Sequence, residues 1–164
     1  MTTTSAVSIV PLEEGDRGWL VALLDEGWGG SLMVSRGRLH NCLALPGLLA
    51  RLDEVRAGVL LYHIEGAACE VVLLQSVIEG QGVAAALIAA AAQAARAAGC
   101  ERLWLVTTND NTPALRFYQR RGFRLAALHP GAVDEARRLK PSIPLYGVDG
   151  IPIRDEIELE MALG

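Results

Sequence analysis

Cysteine is scarce in this chain of 164 residues, which holds only Cys42, Cys69 and Cys100. Three is an odd number, and their spacing matches no metal-ligand pattern. That excludes a zinc framework and a fully paired disulfide scaffold, and no metal is expected. Reduced, partly buried thiols in a cytoplasmic protein are the expectation. Positive charge is also in deficit, with 15 Lys and Arg against 19 Asp and Glu, a net −4. Nonspecific nucleic-acid binding needs a clustered basic surface, so no nucleic-acid partner is expected. No long apolar run is bounded like a membrane span. The alanine-rich stretch from Val83 to Ala98 carries Gln93 and Arg96, and alanine is too weakly hydrophobic to insert well. No membrane partner is expected. The opening Met-Thr-Thr-Thr-Ser-Ala has neither a basic nor an apolar leader region, so no signal peptide is expected.

What is present suits one domain over residues 1–164. Hydrophobic residues make up 51% and charged residues 21%, enough for one sizeable core. Ala6 to Leu12 alternates as a first strand. The acidic run from Glu13 to Asp16 opens a helix that runs to about Glu26, with Trp19, Leu20, Leu23 and Leu24 at helical spacing. Ser31 to Leu45 is polar and glycine-punctuated, and reads either as a solvated loop or as a loop facing a substrate. Gly47–Leu52, Ala57–Glu65 and Cys69–Ile78 read as three strands of an antiparallel meander, with turns at Asp53–Arg56 and Gly66–Ala68. A helix from about Gly82 to Ala98 follows, stopped by Gly99.

Arg102–Thr107 reads as a buried strand, parallel to the one ending at Ile78 through a right-handed crossover. Asn111–Arg121 is a second helix, capped from Asn109, Asp110 or Asn111 and with Pro113 in its first turn. Phe123–Leu128 and Arg154–Ala162 complete the strands. Between them lies an insertion of about 25 residues, His129 to Ile153, long for a connection inside one domain. It holds a short charged helix, Ala132–Leu139, and Pro141, Pro144 and Pro152. Its charges, among them Asp134, Glu135, Arg137, Arg138 and Lys140, suit a solvated face, a cap over a pocket or a dimer surface. The run from Gly150 to Ile157 carries no chemical reading of its own.

The stretch Leu73 to Leu87 organises the chain. An apolar strand runs into a turn with Gly80 and Gly82, and a helix follows. Amides at a helix start lack intrahelical partners, and the positive end of the dipole adds to them. Such a junction is an anion site suited to a phosphate-bearing ligand. It lacks the third glycine of a dinucleotide fingerprint and the Gly-Lys-Ser/Thr of a P-loop.

The frame Glu79, Gly80, Gln81, Gly82, Val83, Ala84 instead resembles the pyrophosphate turn of the GNAT acyl-CoA-dependent N-acetyltransferases. That pattern is Arg or Gln, any two, Gly, any one, Gly or Ala. Glu79 departs from it, standing where Arg or Gln is usual, and a carboxylate there would repel a pyrophosphate. A second GNAT-like motif follows, in which Asn111, Ala114, Tyr118, Gly122 and Phe123 match one for one. The two motifs cover about Glu70 to Leu128.

The resemblance implies a mixed α/β fold. Its central, mostly antiparallel twisted sheet carries a parallel, splayed strand pair and is flanked by helices. It implies transfer of an acetyl group from acetyl-CoA to a primary amine of a small molecule or peptide. Val77, Gly80, Gln81, Gly82, Val83, Ala84, Asn111, Ala114 and Tyr118 would bind the cosubstrate. The pantetheine arm would lie along Gln75 to Ile78, with the Val77 N–H on the thioester oxygen. Tyr118 would be the general acid. Glu70 is the first candidate for the base, sharing a face by period two with Val72, Leu74 and Ser76. His40 and His129 are alternative bases, and Ser76 is a candidate to orient the acceptor. A homodimer is compatible. The alternative function is a non-catalytic acyl-CoA sensor of the same fold, which Glu79 favours.

Overall fold

The computed structural model describes residues 6–164. The leader reading falls largely on residues 1–5, outside that range. The order is β1 (Val7–Pro11), α1 (Arg17–Gly27), β2 (Leu32–Ser35), β3 (Arg38–Asn41), β4 (Gly47–Leu52), β5 (Val55–Glu65), β6 (Ala68–Ser76), α2 (Val83–Ala97), β7 (Arg102–Thr108), α3 (Thr112–Arg120), β8 (Arg124–His129), α4 (Ala132–Leu139) and β9 (Glu156–Ala162). One sheet runs β1-β4-β5-β6-β7-β9-β8, and β2 with β3 forms a separate hairpin. All pairings in the large sheet are antiparallel except β6 with β7. The mixed α/β expectation, with its parallel pair, holds.

That parallel pair is brief. Only Ala68, Cys69 and Glu70 pair, with Arg102, Leu103 and Trp104. Beyond them β6 continues to Ser76 and β7 to Thr108, unpaired with each other. The strands therefore splay, and a cleft opens in the middle of the sheet.

Two apolar layers hold the sheet. On one face α2 packs Leu87, Ile88, Ala91 and Ala95 with Leu60, Val71 and Leu103. Small alanines let that helix sit close to the strands. Gly58 shows how close, since a Cβ there would lie 2.7 Å from Val83 Cγ1 and 2.8 Å from the Gln75 carbonyl. On the other face α1 packs Leu20 and Leu24 with Val59, Leu61 and Leu73.

Three sequence expectations change. Ser31–Leu45 is chiefly a hairpin rather than a loop, with Leu32 to Ser35 paired against Asn41 to Arg38. Its two-residue turn, Arg36-Gly37, has φ +48° and +76°, the handedness that suits twisted hairpin strands. Arginine rarely takes that conformation, so the turn does not announce itself. The Asp53–Arg56 turn is tighter than expected, because β5 already begins at Val55. Finally, β6 does not keep a strict period of two. Leu61 pairs with Leu73 and Tyr62 with Val71, so Val72 is an extra residue in a bulge. The bulge reverses the alternation. Val71 and Leu74 pack on the α2 side, while Leu73 packs on the α1 side. Glu70 therefore shares its face with Leu73 and not with Leu74 and Ser76.

The insertion is ordered around two anchors. Arg137 donates to the carbonyls of Ile143, Pro144 and Ile153 and pairs with Asp134 at 2.9 Å. Asn109 donates to the Pro152 carbonyl at 2.9 Å, and its Oδ1 accepts from the Arg154 and Asp155 amides. This gives the Gly150–Ile157 run its role: it is the strap that Asn109 holds. Asn109→Ala would leave three backbone groups without their partner. We expect a loss of about 2–4 kcal/mol in urea unfolding, with new protease cleavage between residues 140 and 153. Unchanged stability and protection would contradict this anchoring.

Candidate active site

The cleft between β6 and β7 is a cavity of about 260 Å³. Val71 to Leu74 form one wall and Leu105 to Thr108 the other. Asn111, Ala114 and Tyr118 close it on the α3 side, and Trp28, Met33 and Val34 on the α1 side. The second sequence motif thus converges on the splay. Asn111 caps α3, its Oδ1 accepting from the Ala114 amide at 3.3 Å. Ala114 and Tyr118, one turn apart, face the same space. Tyr118 is wedged edge-on between Phe117 and Phe123, at 5.2 and 5.4 Å. Burial pushes its phenol up to about 12, so it keeps its proton at neutral pH.

The glycine turn lies beyond the end of β6. Gly80 and Gly82 have φ of +77° and +72°, and nothing lies within 4 Å of where their Cβ atoms would be. Gly82 is the N-cap of α2 and supplies no side-chain cap. The first intrahelical bond there runs from the Ala86 amide to the Gly82 carbonyl. The Val83, Ala84 and Ala85 amides are left for a ligand to satisfy. The Val83 side chain is buried and fixes the helix start, whereas Gln81 and Glu79 are exposed.

Val77 is placed differently from the expectation. Its N–H donates to the Ala57 carbonyl at 2.7 Å and is not free for a thioester oxygen. Backbone groups alternate along a strand, so those of Gln75 also face β5. Those of Leu74 and Ser76 face the cleft. The Ser76 hydroxyl is engaged too, donating to the Ile78 carbonyl at 2.8 Å. The Gln75 side chain accepts from the Trp28 indole, which ties the end of α1 to β6.

Glu70 lies where the splay begins, on the α1 face, in a neighbouring cavity of about 330 Å³. Ser35, Arg36, Arg38, His63, Arg102 and Trp104 share that chamber. Glu70 is 3% exposed, His40 4% and Ser35 6%. Glu70 Oε2 is 3.5 Å from His40 Nε2. Ser35 Oγ, His40 Nε2, His63 Nε2 and Glu70 Oε1 are buried without a hydrogen-bond partner. Such groups are costly, and they cluster where a ligand or water completes them. Burial raises the Glu70 pKa. The Ser35 hydroxyl and the Arg38 guanidinium pull the other way, and Glu156 and Glu158 add to the rise. Of the alternative bases, His40 belongs to this cluster. His129 is elsewhere, bonded to Glu158 at 3.1 Å.

Sequence reasoning missed Ser35 and His63. Nothing local marks Ser35, because a hairpin carries it there. His63 was within reach: counting back from the Gly66-Ala67 turn sets it opposite Glu70. Other chemistries find less support. Burial pushes the Cys42 and Cys69 thiols to about 11 and about 12, which holds them protonated. Among the described residues, no group of His, Cys, Asp or Glu could hold a metal ion, and no helix is long and apolar enough to cross a membrane.

The raised Glu70 pKa has a consequence for stability. The folded state holds this proton more tightly than the unfolded chain. Stability from it is full below the unfolded carboxylate pKa and is lost as pH rises through the folded one. Glu70→Gln removes that penalty. The variant should melt a few degrees above wild type at pH 8, with the gap closing towards pH 4. A gap independent of pH would contradict the raised pKa.

Comparison with known proteins agrees with this geometry. The model of the Acetyltransferase (GNAT) family matches residues 16–123. The chain is 40% identical over 154 residues to the uncharacterized protein YxbD of Bacillus subtilis, covering 93% of this chain and 97% of that protein. YdhI of the same organism is 40% identical over 150 residues, covering 91% and 94%. Among solved structures, the IAA acetyltransferase from Bacillus cereus superposes with a TM-score of 0.74 at 19% identity, covering 96% of this chain and all of that one. A GNAT family acetyltransferase from Elizabethkingia anophelis, with acetyl-CoA bound, gives 0.69 at 20% identity, covering 96% and 98%. From the family match, the curated relatives and the splayed sheet together, this chain belongs to the GNAT family of acetyltransferases.

Proposed function

We propose that this chain is an acetyl-CoA-dependent N-acetyltransferase acting on a primary amine by direct transfer. The observation that carries the reading is the splay cavity, which has the β6 edge on one side and Asn111, Ala114 and Tyr118 on the other. The residues present fit the cosubstrate. Free amides follow the Cβ-less turn at Gly80 and Gly82, where a pyrophosphate would sit. The unpaired edge of β6 offers backbone groups to the amide bonds of the pantetheine arm. The backbone N–H of Leu74 or Ser76 takes the oxyanion role expected of Val77. Asn111 and Ala114 line the arm, and Tyr118 stands by the sulfur.

The chemistry then balances as follows. Glu70 takes one proton from the acceptor ammonium, directly or through water, and leaves a lone pair on nitrogen. That nitrogen attacks the thioester carbon, forming a C–N bond and an oxyanion. The C–S bond breaks, and Tyr118 donates its proton to the departing thiolate. The proton that the new amide nitrogen sheds restores the phenol. Glu70 lies upstream of Leu74 and Ser76 at about 3.3 Å per residue, so a relay of several waters carries the proton to it unless the acceptor itself reaches into the Glu70 chamber. The acceptor enters from the α1 face, past Trp28, Met33 and Val34. Three free cysteines suit a reducing, cytoplasmic setting.

A sensor that binds acyl-CoA without turnover is the second reading, and exposed Glu79 beside the turn is what favours it. Calorimetric titration with acetyl-CoA, followed by a thiol-release screen of primary amines, separates the two. Wild type and Tyr118→Phe should bind alike. Gly82→Asp should not bind, because it adds negative charge and forces a side chain into a positive φ. Tyr118→Phe should lower kcat by about 10²-fold or more. Binding without turnover across the amine panel would favour the sensor.

A further inference from the structure

Three buried polar atoms without hydrogen-bond partners lie around the Glu70 carboxylate, whose two oxygens are not equivalent. Oε2 of Glu70 has His40 Nε2 at 3.5 Å, while Oε1 has no partner. The cavity wall includes Glu70 and His63 but not His40. His40 therefore stands behind the carboxylate, held on β3 opposite Met33. We propose that His40 is a positioning residue for Glu70, its Nε2–H holding Oε2 so that Oε1 is presented to the chamber to receive the acceptor's proton. This rests on the reading of Glu70 as the base.

The charges around the pair favour a neutral imidazole that donates. Arg38 of the hairpin and His63 of β5 both oppose a proton on His40, and burial opposes it more. The His40 and His63 rings lie 5.5 Å apart. Glu70 itself faces Ser35 and Arg38 from the hairpin, His63 from β5, Arg102 from β7, and Glu156 and Glu158 from β9. The basic groups there are largely spent. Arg38 pairs with Glu65 at 2.9 Å, Arg36 with Glu156 at 3.1 Å, and Arg102 with Glu158 and Glu160. His63 is the exception, its Nε2 lying 3.8 Å from Glu65 without a hydrogen bond. The neutral His40 imidazole, behind the carboxylate at Oε2, and the Ser35 hydroxyl in the chamber are thus the donors able to stabilise Glu70. At 3.5 Å the contact is long, and bonds of this kind tighten when substrate and water fill the site.

The proton step balances within the chain. An N–H bond of the acceptor ammonium breaks, its electron pair stays on nitrogen, and an O–H bond forms at Oε1. Any bridging water passes one proton on for each it receives. His40 keeps its own proton throughout.

The test follows the Glu70 carboxyl directly, by carbon NMR of glutamate-labelled protein through a pH titration. Glu70→Gln identifies its signal. Removing the donor in His40→Phe should move the Glu70 midpoint up by about one to two pH units. His40→Gln, which keeps an N–H donor, should return most of the shift. Acetyl-CoA titration of each variant reports an intact fold. Nitrogen spectra of histidine-labelled wild type should show the proton on Nε2 of His40. A Glu70 midpoint indifferent to His40→Phe, or a bare Nε2, would overturn the proposal. The base reading is tested separately: with an amine that wild type acetylates, Glu70→Gln should lose transfer. Retained transfer would remove Glu70 as base and leave the titration result standing.

Discussion

The splay of β6 from β7 is the constraint on which the rest depends. Two adjacent strands in the middle of a sheet normally satisfy each other's backbone. Here they stop after three pairs, and the facing groups of Leu74 and Ser76 are left to other partners. The bulge at Val72 marks the transition, because it reverses which residues face α1 and which face α2. α3 then enters from below, and its capped start places Asn111, Ala114 and Tyr118 in the gap. A sheet that paired fully would be better satisfied and would have no cleft. The open strand edge is retained where a polar, amide-bearing ligand can complete it.

The chamber beside the cleft shows a second local cost. Burying Glu70 with His40, His63 and Ser35 forgoes hydration that their mutual contacts do not replace. The apolar layers around them, Leu20 and Leu24 on one side and Leu60 and Leu87 on the other, have ample burial to carry it. Well-packed apolar side chains of similar volume at such buried positions are often neutral or stabilising. Their polarity therefore points to chemistry rather than to folding.

Much of this was legible in the sequence, and where reading failed the reason is physical. The Gly80 and Gly82 turn and the run from Asn111 to Phe123 were readable because a local backbone demand fixes each residue. The antiparallel front of the sheet was readable from short turns and alternation. The bulge was not, since Val72 looks like any other apolar strand residue. The face of Glu70 was misjudged for that reason alone. The β2–β3 hairpin was hidden because its turn uses Arg36 where Asn or Gly would announce it. Val77 looked free because its partner, Ala57, lies on another strand.

Three consecutive residues join the site to the insertion. Asn109 holds the strap at Pro152, Arg154 and Asp155. Asp110 turns inward and accepts from Thr108 and from the Val148 amide, so close to Gly147 that a Cβ there would collide with it. Asn111 caps α3 and faces the cleft. One short turn thus fixes the cleft wall and the far end of the insertion together. From the near end, Lys140 reaches across to the Trp28 carbonyl at 2.6 Å, and Trp28 lines the cleft on the α1 side. The insertion is therefore tied to the α3 side and to the α1 side of the cleft. A change in its packing reaches the cleft from the α1 side, through Lys140 and Trp28, as well as from the α3 side, through Asn109 to Asn111.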